Sequence, residues 1–110
     1  MAGKAAETKV LEFYDAGEFI GQSIFRVYPP DPPASDHTVA SIQYFTINFG
    51  KRGRGLGRRC YTGMEQTLRK EGVEMVELMP IDHASGFWEK MGFSLKHGSM
   101  VKKDIRNVTQ

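Results

Sequence analysis

One cysteine, Cys60, stands in 110 residues, so the chain can build neither an intrachain disulfide nor a zinc site made of thiolates. No apolar run approaches the roughly 20 residues needed to cross a bilayer. The opening MAGKAAETK has no apolar stretch of the kind that marks a secretory leader. These absences lead us to expect an intracellular, cytoplasmic protein without a membrane partner. Charge of one sign is also missing: fifteen Lys and Arg against thirteen Asp and Glu leave a net charge of +2. No overall field therefore compels binding to nucleic acid or to a lipid surface. Proline is nearly confined to one place, with four of the five at positions 29, 30, 32 and 33. There is no internal repeat and no low-complexity segment.

What is present suffices for a packed core. The chain is 40% hydrophobic and carries seven Phe, four Tyr and one Trp, enough to bury one domain over residues 1–110. Residues 1–8 are expected to be flexible and 105–110 to form a C-terminal tail. KVLEFYDAGEFIGQSIFRVYP reads as two strands about an Asp-Ala-Gly-Glu turn, and PPDPPASD as a surface loop. TVASIQYFTINF is the strongest strand; its polarity does not alternate cleanly, which predicts a central strand covered on both faces. LGRRCYTGMEQTLRKEG predicts a helix, with Leu56, Cys60, Met64 and Leu68 inward and Arg58, Thr62, Glu65 and Arg69 outward. VEMVELMP is a further strand, HASGFWEKM a short helix, and GFSLKHGSMVKKD a closing hairpin with Lys102 and Lys103 as edge charges. The strand–helix–strand unit in the middle demands parallel neighbours, whereas the rest reads as antiparallel. The expected fold is α+β on a mixed, mostly antiparallel sheet.

The distinctive segment is GKRGRGLGRR, residues 50–59, where five of the fifteen Lys and Arg meet four glycines. It lies between the best strand and the best helix. The first amides of a helix have no intrahelical partner, and its dipole is positive at that end. Glycines let a backbone approach phosphate oxygens, and basic side chains add charge-assisted contacts. A Walker loop is excluded, because Arg58 and Arg59 follow Gly57, and the dinucleotide pattern G-x-G-x-x-G is absent. Three readings of the string stand at this point: a solvated basic turn, an anion site, and a nucleic-acid patch, the last disfavoured because Arg/Gly segments that bind RNA are usually repeated.

Two signatures then resemble the GNAT N-acetyltransferases. RGRGLG fits that family's R/Q-x-x-G-x-G/A, with Arg52, Gly55 and Gly57 at the defining positions. ASGFWEKMGF is similar to A-x-x-F-Y-E-K-x-G-F, matching at Ala84, Phe87, Glu89, Lys90, Gly92 and Phe93. The resemblance spans roughly residues 10–104 and implies a short GNAT-like acyltransferase that moves an acetyl group from acetyl-CoA to a primary amine. It also implies a sheet splayed open around the co-substrate and no metal. By resemblance, the amides of Gly53, Gly55, Gly57 and Arg58 hold the pyrophosphate, with Leu56 in the same turn. The backbone of Phe45, Thr46 and Ile47 pairs with the pantetheine arm, Arg52 and Arg54 add positive charge, and Phe87 and Trp88 border the cleft.

The chain departs from the family at chemically important positions. The Tyr that commonly protonates the leaving thiolate is replaced by Trp88, whose indole N–H donates a hydrogen bond but is no practical acid. The strongest strand carries no Asp or Glu to serve as general base. Gln43 can position a water, and Asp82 and His83 stand before the second signature, either as a base pair or, for Asp82, as a helix cap. Cys60 reads as a core thiol by its helical spacing. The strand and helices that commonly wall the acceptor site have no counterpart in the nine or so residues before the first strand. A shallow groove suiting a protein or peptide acceptor is one consequence, and a homodimer that completes the wall, through the proline loop, is another. A catalytically silent CoA-binding or interaction module is the alternative to an enzyme.

Overall fold

The computed structural model describes residues 6–33, 36–48, 50, 55–79, 85–93 and 101–106. Its elements are β1 (Glu7–Asp15), β2 (Glu18–Tyr28), β3 (Val39–Ile47), α1 (Leu56–Lys70), β4 (Met75–Leu78), α2 (Ser85–Lys90) and β5 (Val101–Asp104). The five strands form one sheet in sequence order. Only β3 and β4 run parallel, with α1 as their crossover; the other neighbours are antiparallel. This is the expected α+β fold. The first arm of the closing hairpin falls in residues 94–100, outside the described residues.

Local chemistry sets each element. The β1–β2 turn places Ala16 at φ 52° and Gly17 at φ 83°, the pair of left-handed residues that a two-residue hairpin turn needs to match strand twist. In β2, Gly21 is required by packing: a Cβ there would stand 2.2 Å from the carbonyl oxygen of Thr46 on β3. The paired residues alternate across the pleat, so one face collects Phe13, Phe25, Ala40, Ile42, Ile47, Val76, Leu78 and Val101, all buried. Onto that face packs α1 through Leu56, Tyr61, Met64 and Leu68.

Several sequence expectations are corrected. Tyr61, and not Cys60, belongs to the helix's buried set; Cys60 is half-buried at its flank. Glu65 and Arg69 do not face solvent freely. The Glu65 carboxylate accepts from Arg69 at 2.9 Å and from Lys103 Nζ at 2.8 Å, so Lys103 is turned inward while Lys102 is exposed. Ile105, read as the start of a tail, is buried; its N–H donates to the Glu74 carbonyl at 2.9 Å and its carbonyl accepts from Arg69 Nε at 2.6 Å. Glu7 and Thr8, read as flexible, begin β1.

The strand β3 is buried on both faces only over Ala40–Ile42; Gln43 and Tyr44 are exposed. Its broken alternation has another cause: Ile24 pairs with Tyr44 and Phe25 with Ile42, so Gln43 is the extra residue of a β-bulge. The Ser23 hydroxyl donates to the Tyr44 carbonyl at 2.9 Å and pins it. On the sheet's outer face Ser41 is buried, and Tyr44 is 49% exposed.

Candidate acyl-donor site

The bulge at Gln43 coincides with a parting of strands. Pairing of β3 with β4 runs from Val39/Met75 to Ile42/Leu78 and stops. On its other side β3 stays bonded to β2 as far as Ile47, opposite Gly21. From Gln43 to Thr46, then, the β4-facing flank of β3 has no ladder partner among the described residues. Bulges increase local twist and bend the strand that carries them, which accounts for β3 leaving β4 at this point. An extended ligand that can exchange amide hydrogen bonds fits such a flank as an added strand does.

Beyond Ile47 the chain reaches the N-terminus of α1. Gly55 is the residue before the helix, at φ 73° and ψ 8°, a left-handed conformation that a Cβ would penalise. It makes no side-chain cap, and the first turn contains no acidic residue. The first backbone bond of the helix is Arg59 N–H to the Gly55 carbonyl, 3.1 Å. The N–H groups of Leu56, Gly57 and Arg58 therefore have no acceptor among the described residues. Arg58 and Arg59 are exposed beside them. Most helices satisfy these amides with Ser, Thr, Asp or Asn. Here the end is left bare and basic, which is the chemistry of an anion site.

Gly57 has a packing role as well. A Cβ on it would come to 3.3 Å from Phe87 Cε1 and 3.8 Å from Ile47 Cγ1, so its absence lets α2 close on α1. Under this contact lies an aromatic cluster. The Phe45 ring centroid is 5.3 Å from Phe13, 5.9 Å from Phe87, 5.4 Å from Trp88 and 6.3 Å from Tyr61. These rings hold β3, α1 and α2 in fixed relation, so the bare helix end and the free flank of β3 keep their geometry.

The structure brings Phe45, Thr46, Ile47, Gly55, Leu56, Gly57, Arg58 and Phe87 into this region. Phe45 and Leu56 give it their backbone while their side chains serve the core. Trp88 is buried between Phe45, Tyr61 and Phe93. It therefore acts as a core residue in this arrangement. Gln43 is exposed on the bulge, and its amide donates to the Ser41 hydroxyl at 3.2 Å. Arg52, Gly53, Arg54, Asp82 and His83 lie outside the described residues. Sequence reading missed Tyr61: burial, and the Glu65 carboxylate one turn away, push its phenol far above the ordinary value. Its hydroxyl is buried without a hydrogen-bond partner of normal geometry, the carboxylate acting across space. The i, i+4 spacing of Tyr61 with Glu65 was the available signal.

On the other flank of α1 a groove of about 340 Å³ runs between the helix and β1, lined by Leu11, Phe13, Leu56, Cys60 and Met64, with Arg59 at its border. Burial pushes the Cys60 thiol up, the opposite of what activates a nucleophile. Among the described residues no group of His, Cys, Asp and Glu could hold a metal ion, and no helix is long and apolar enough to cross a membrane.

A mixed sheet opened at a bulged strand, beside an uncapped basic helix end, makes this an α+β fold whose candidate site has the chemistry that suits an extended anionic ligand. The sequence pattern of the acetyltransferase (GNAT) family matches residues 2–93, and the chain belongs to that family. No curated protein sequence matches it. Among solved structures it is similar to Tetrahymena GCN5, with 17% identity and a TM-score of 0.74 over 91% of this chain and 69% of that one. It is also similar to the PaiA N-acetyltransferase of Thermoplasma acidophilum, solved in complex with coenzyme A (14% identity, TM-score 0.70, 88% and 60% covered). A third is a GNAT family acetyltransferase of Brucella melitensis in complex with acetyl-CoA (15%, TM-score 0.66, 86% and 56% covered). The chain thus spans 56–69% of the length of these structures.

Proposed function

We propose that this protein is a cytoplasmic N-acetyltransferase that moves the acetyl group of acetyl-CoA to a primary amine. The acceptor is a lysine side chain or N-terminus of a protein, or a small amine. The observation that carries the reading is the N-terminus of α1, uncapped among the described residues, next to the flank of β3 at Gln43–Thr46 that has left β4. The amides of Leu56, Gly57 and Arg58, with the Arg58 side chain, receive the pyrophosphate; Gly53, Arg52 and Arg54 of the preceding loop extend that contact. The backbone of Phe45 to Ile47 receives the pantetheine amides. Acetyl-CoA supplies an acyl group already activated as a thioester, so the protein's tasks are orientation and proton movement. An attacking amine must be neutral, and Asp82 and His83, ahead of the second signature, are the candidate bases. Gln43 orients and does not deprotonate, since an amide takes no proton at neutral pH.

One observation favours a second reading, a CoA-binding module without turnover: Trp88 is buried among aromatic rings and offers no acid to the leaving thiolate. Thermal denaturation with and without acetyl-CoA separates both readings from a nucleic-acid binder, which gains no stability from the ligand. Thiol release from acetyl-CoA in the presence of lysine peptides and small amines then separates enzyme from module. Absence of any stabilisation by acetyl-CoA refutes both.

A further inference from the structure

Six large hydrophobic residues are exposed among the described residues, and the register places the five in β1–β3 on the outer side of the sheet. They are Val10 (58%), Tyr14 (58%), Phe19 (39%), Tyr28 (39%), Tyr44 (49%) and Met79 (55%). The four aromatic ones, with side chains of about 150–250 Å² each, present roughly 400 Å², divided among the rows of the sheet. A stable interface takes about 800 Å² from each partner, so the polar rows between them would be buried with them. Neither α1 nor α2 lies on this side, since both pack against Phe45 and its neighbours on the other.

The strand register shows how the face is organised. Val10, Ile24 and Tyr44 form one cross-strand row. On one side of this row come Glu12, Gln22 and Thr46, then Tyr14 and Phe19. On the other come Thr8, Arg26 and Ser41, then Tyr28 and Val39. The sequence of rows is apolar, polar, apolar, polar, apolar, and the two polar rows carry charges of opposite sign. Such a surface complements itself. If a second copy is turned over about the line of the Val10–Ile24–Tyr44 row, that row meets itself. Tyr14 and Phe19 meet Tyr28 and Val39 of the other copy. The row of Glu12 meets the row of Arg26, one strand spacing apart and within reach of both side chains across two sheets stacked about 10 Å apart.

We propose that the outer face of β1–β3 docks a second copy of this chain, as a two-fold, sheet-on-sheet dimer centred on Val10, Ile24 and Tyr44 with two Glu12–Arg26 pairs flanking the axis. Tyrosine is enriched at interface cores, and three of the six residues are Tyr. The bare end of α1 is on the opposite side, so assembly leaves the proposed acyl-donor site free and does not depend on that reading.

Sedimentation velocity of the full chain over a concentration series tests this. The expected result is a species of twice the 12.4 kDa chain mass. Val10→Lys places two like charges at the axis and should raise the dimer Kd by on the order of tenfold or more. Glu12→Arg and Arg26→Glu should each weaken the dimer, and the double exchange should restore it. These side chains are exposed, so circular dichroism and melting of each variant should match the parent. A chain that stays monomeric up to submillimolar concentration overturns the proposal and leaves the face to an acceptor protein or to chain outside this sequence. A dimer indifferent to Val10→Lys, or exchanges that fail to rescue each other, overturn it equally by placing the interface elsewhere.

Discussion

Arg58→Glu should make the folded protein more stable and its grip on acetyl-CoA weaker, an opposition that few other substitutions produce. Arg58 is the third residue of α1, exposed, in a first turn that has no acidic residue and a glycine before it that supplies no cap. A carboxylate there interacts favourably with the helix dipole and can reach back to the N–H of Gly55, together about 0.5–1 kcal/mol. The same carboxylate opposes a pyrophosphate seated on the amides. Two unit charges about 7 Å apart at an effective dielectric near 40 interact by about 1 kcal/mol. Removing a cation and adding an anion against a doubly charged group comes, after salt screening, to about 2 kcal/mol, or roughly thirtyfold in Kd. Urea denaturation without ligand reads the first effect, and isothermal titration with acetyl-CoA at two salt concentrations the second. Unchanged affinity would mean that the helix end faces solvent and no phosphate. Lower stability without ligand would mean that its amides already have an acceptor.

Three further substitutions test the frame around the site. Gly21→Ala drives a methyl to within 2.2 Å of the Thr46 carbonyl, so β2 and β3 must part; a loss of about 3 kcal/mol is expected in chemical denaturation, and a loss below 1 kcal/mol contradicts the stated geometry. Ala16→Gly relieves a left-handed alanine at φ 52° and should raise stability by about 1 kcal/mol, a melting point higher by about 4–8 °C; a drop instead would show that the turn is not left-handed at this residue. Glu65→Gln leaves Lys103 and Arg69 without their shared carboxylate, and stability should fall by about 2 kcal/mol. The effect should shrink in a Lys103→Met background, because the two changes remove one interaction.

Sequence alone determined the order of the described elements, the parallel pair about α1 and the glycine-rich passage from β3 into α1, because each rests on local rules. Strand residues cluster, helical spacing repeats, and Gly55 and Gly57 stand where a strand gives way to a helix. The two signatures carried the family for the same reason, since both are contiguous strings. Other features were decided by contacts between residues distant in the chain. The bulge at Gln43 depends on Ser23 holding the Tyr44 carbonyl, and sequence read its broken alternation as a doubly covered strand. Tyr61 displaces Cys60 from the core because Phe45, Trp88 and Phe93 converge there from three other places. Lys103 turns inward only because Glu65 and the Met91 carbonyl wait for it. The bare outer face is likewise invisible in composition: alternation along a strand says that two faces differ, and only the packed sheet says which one the helices cover.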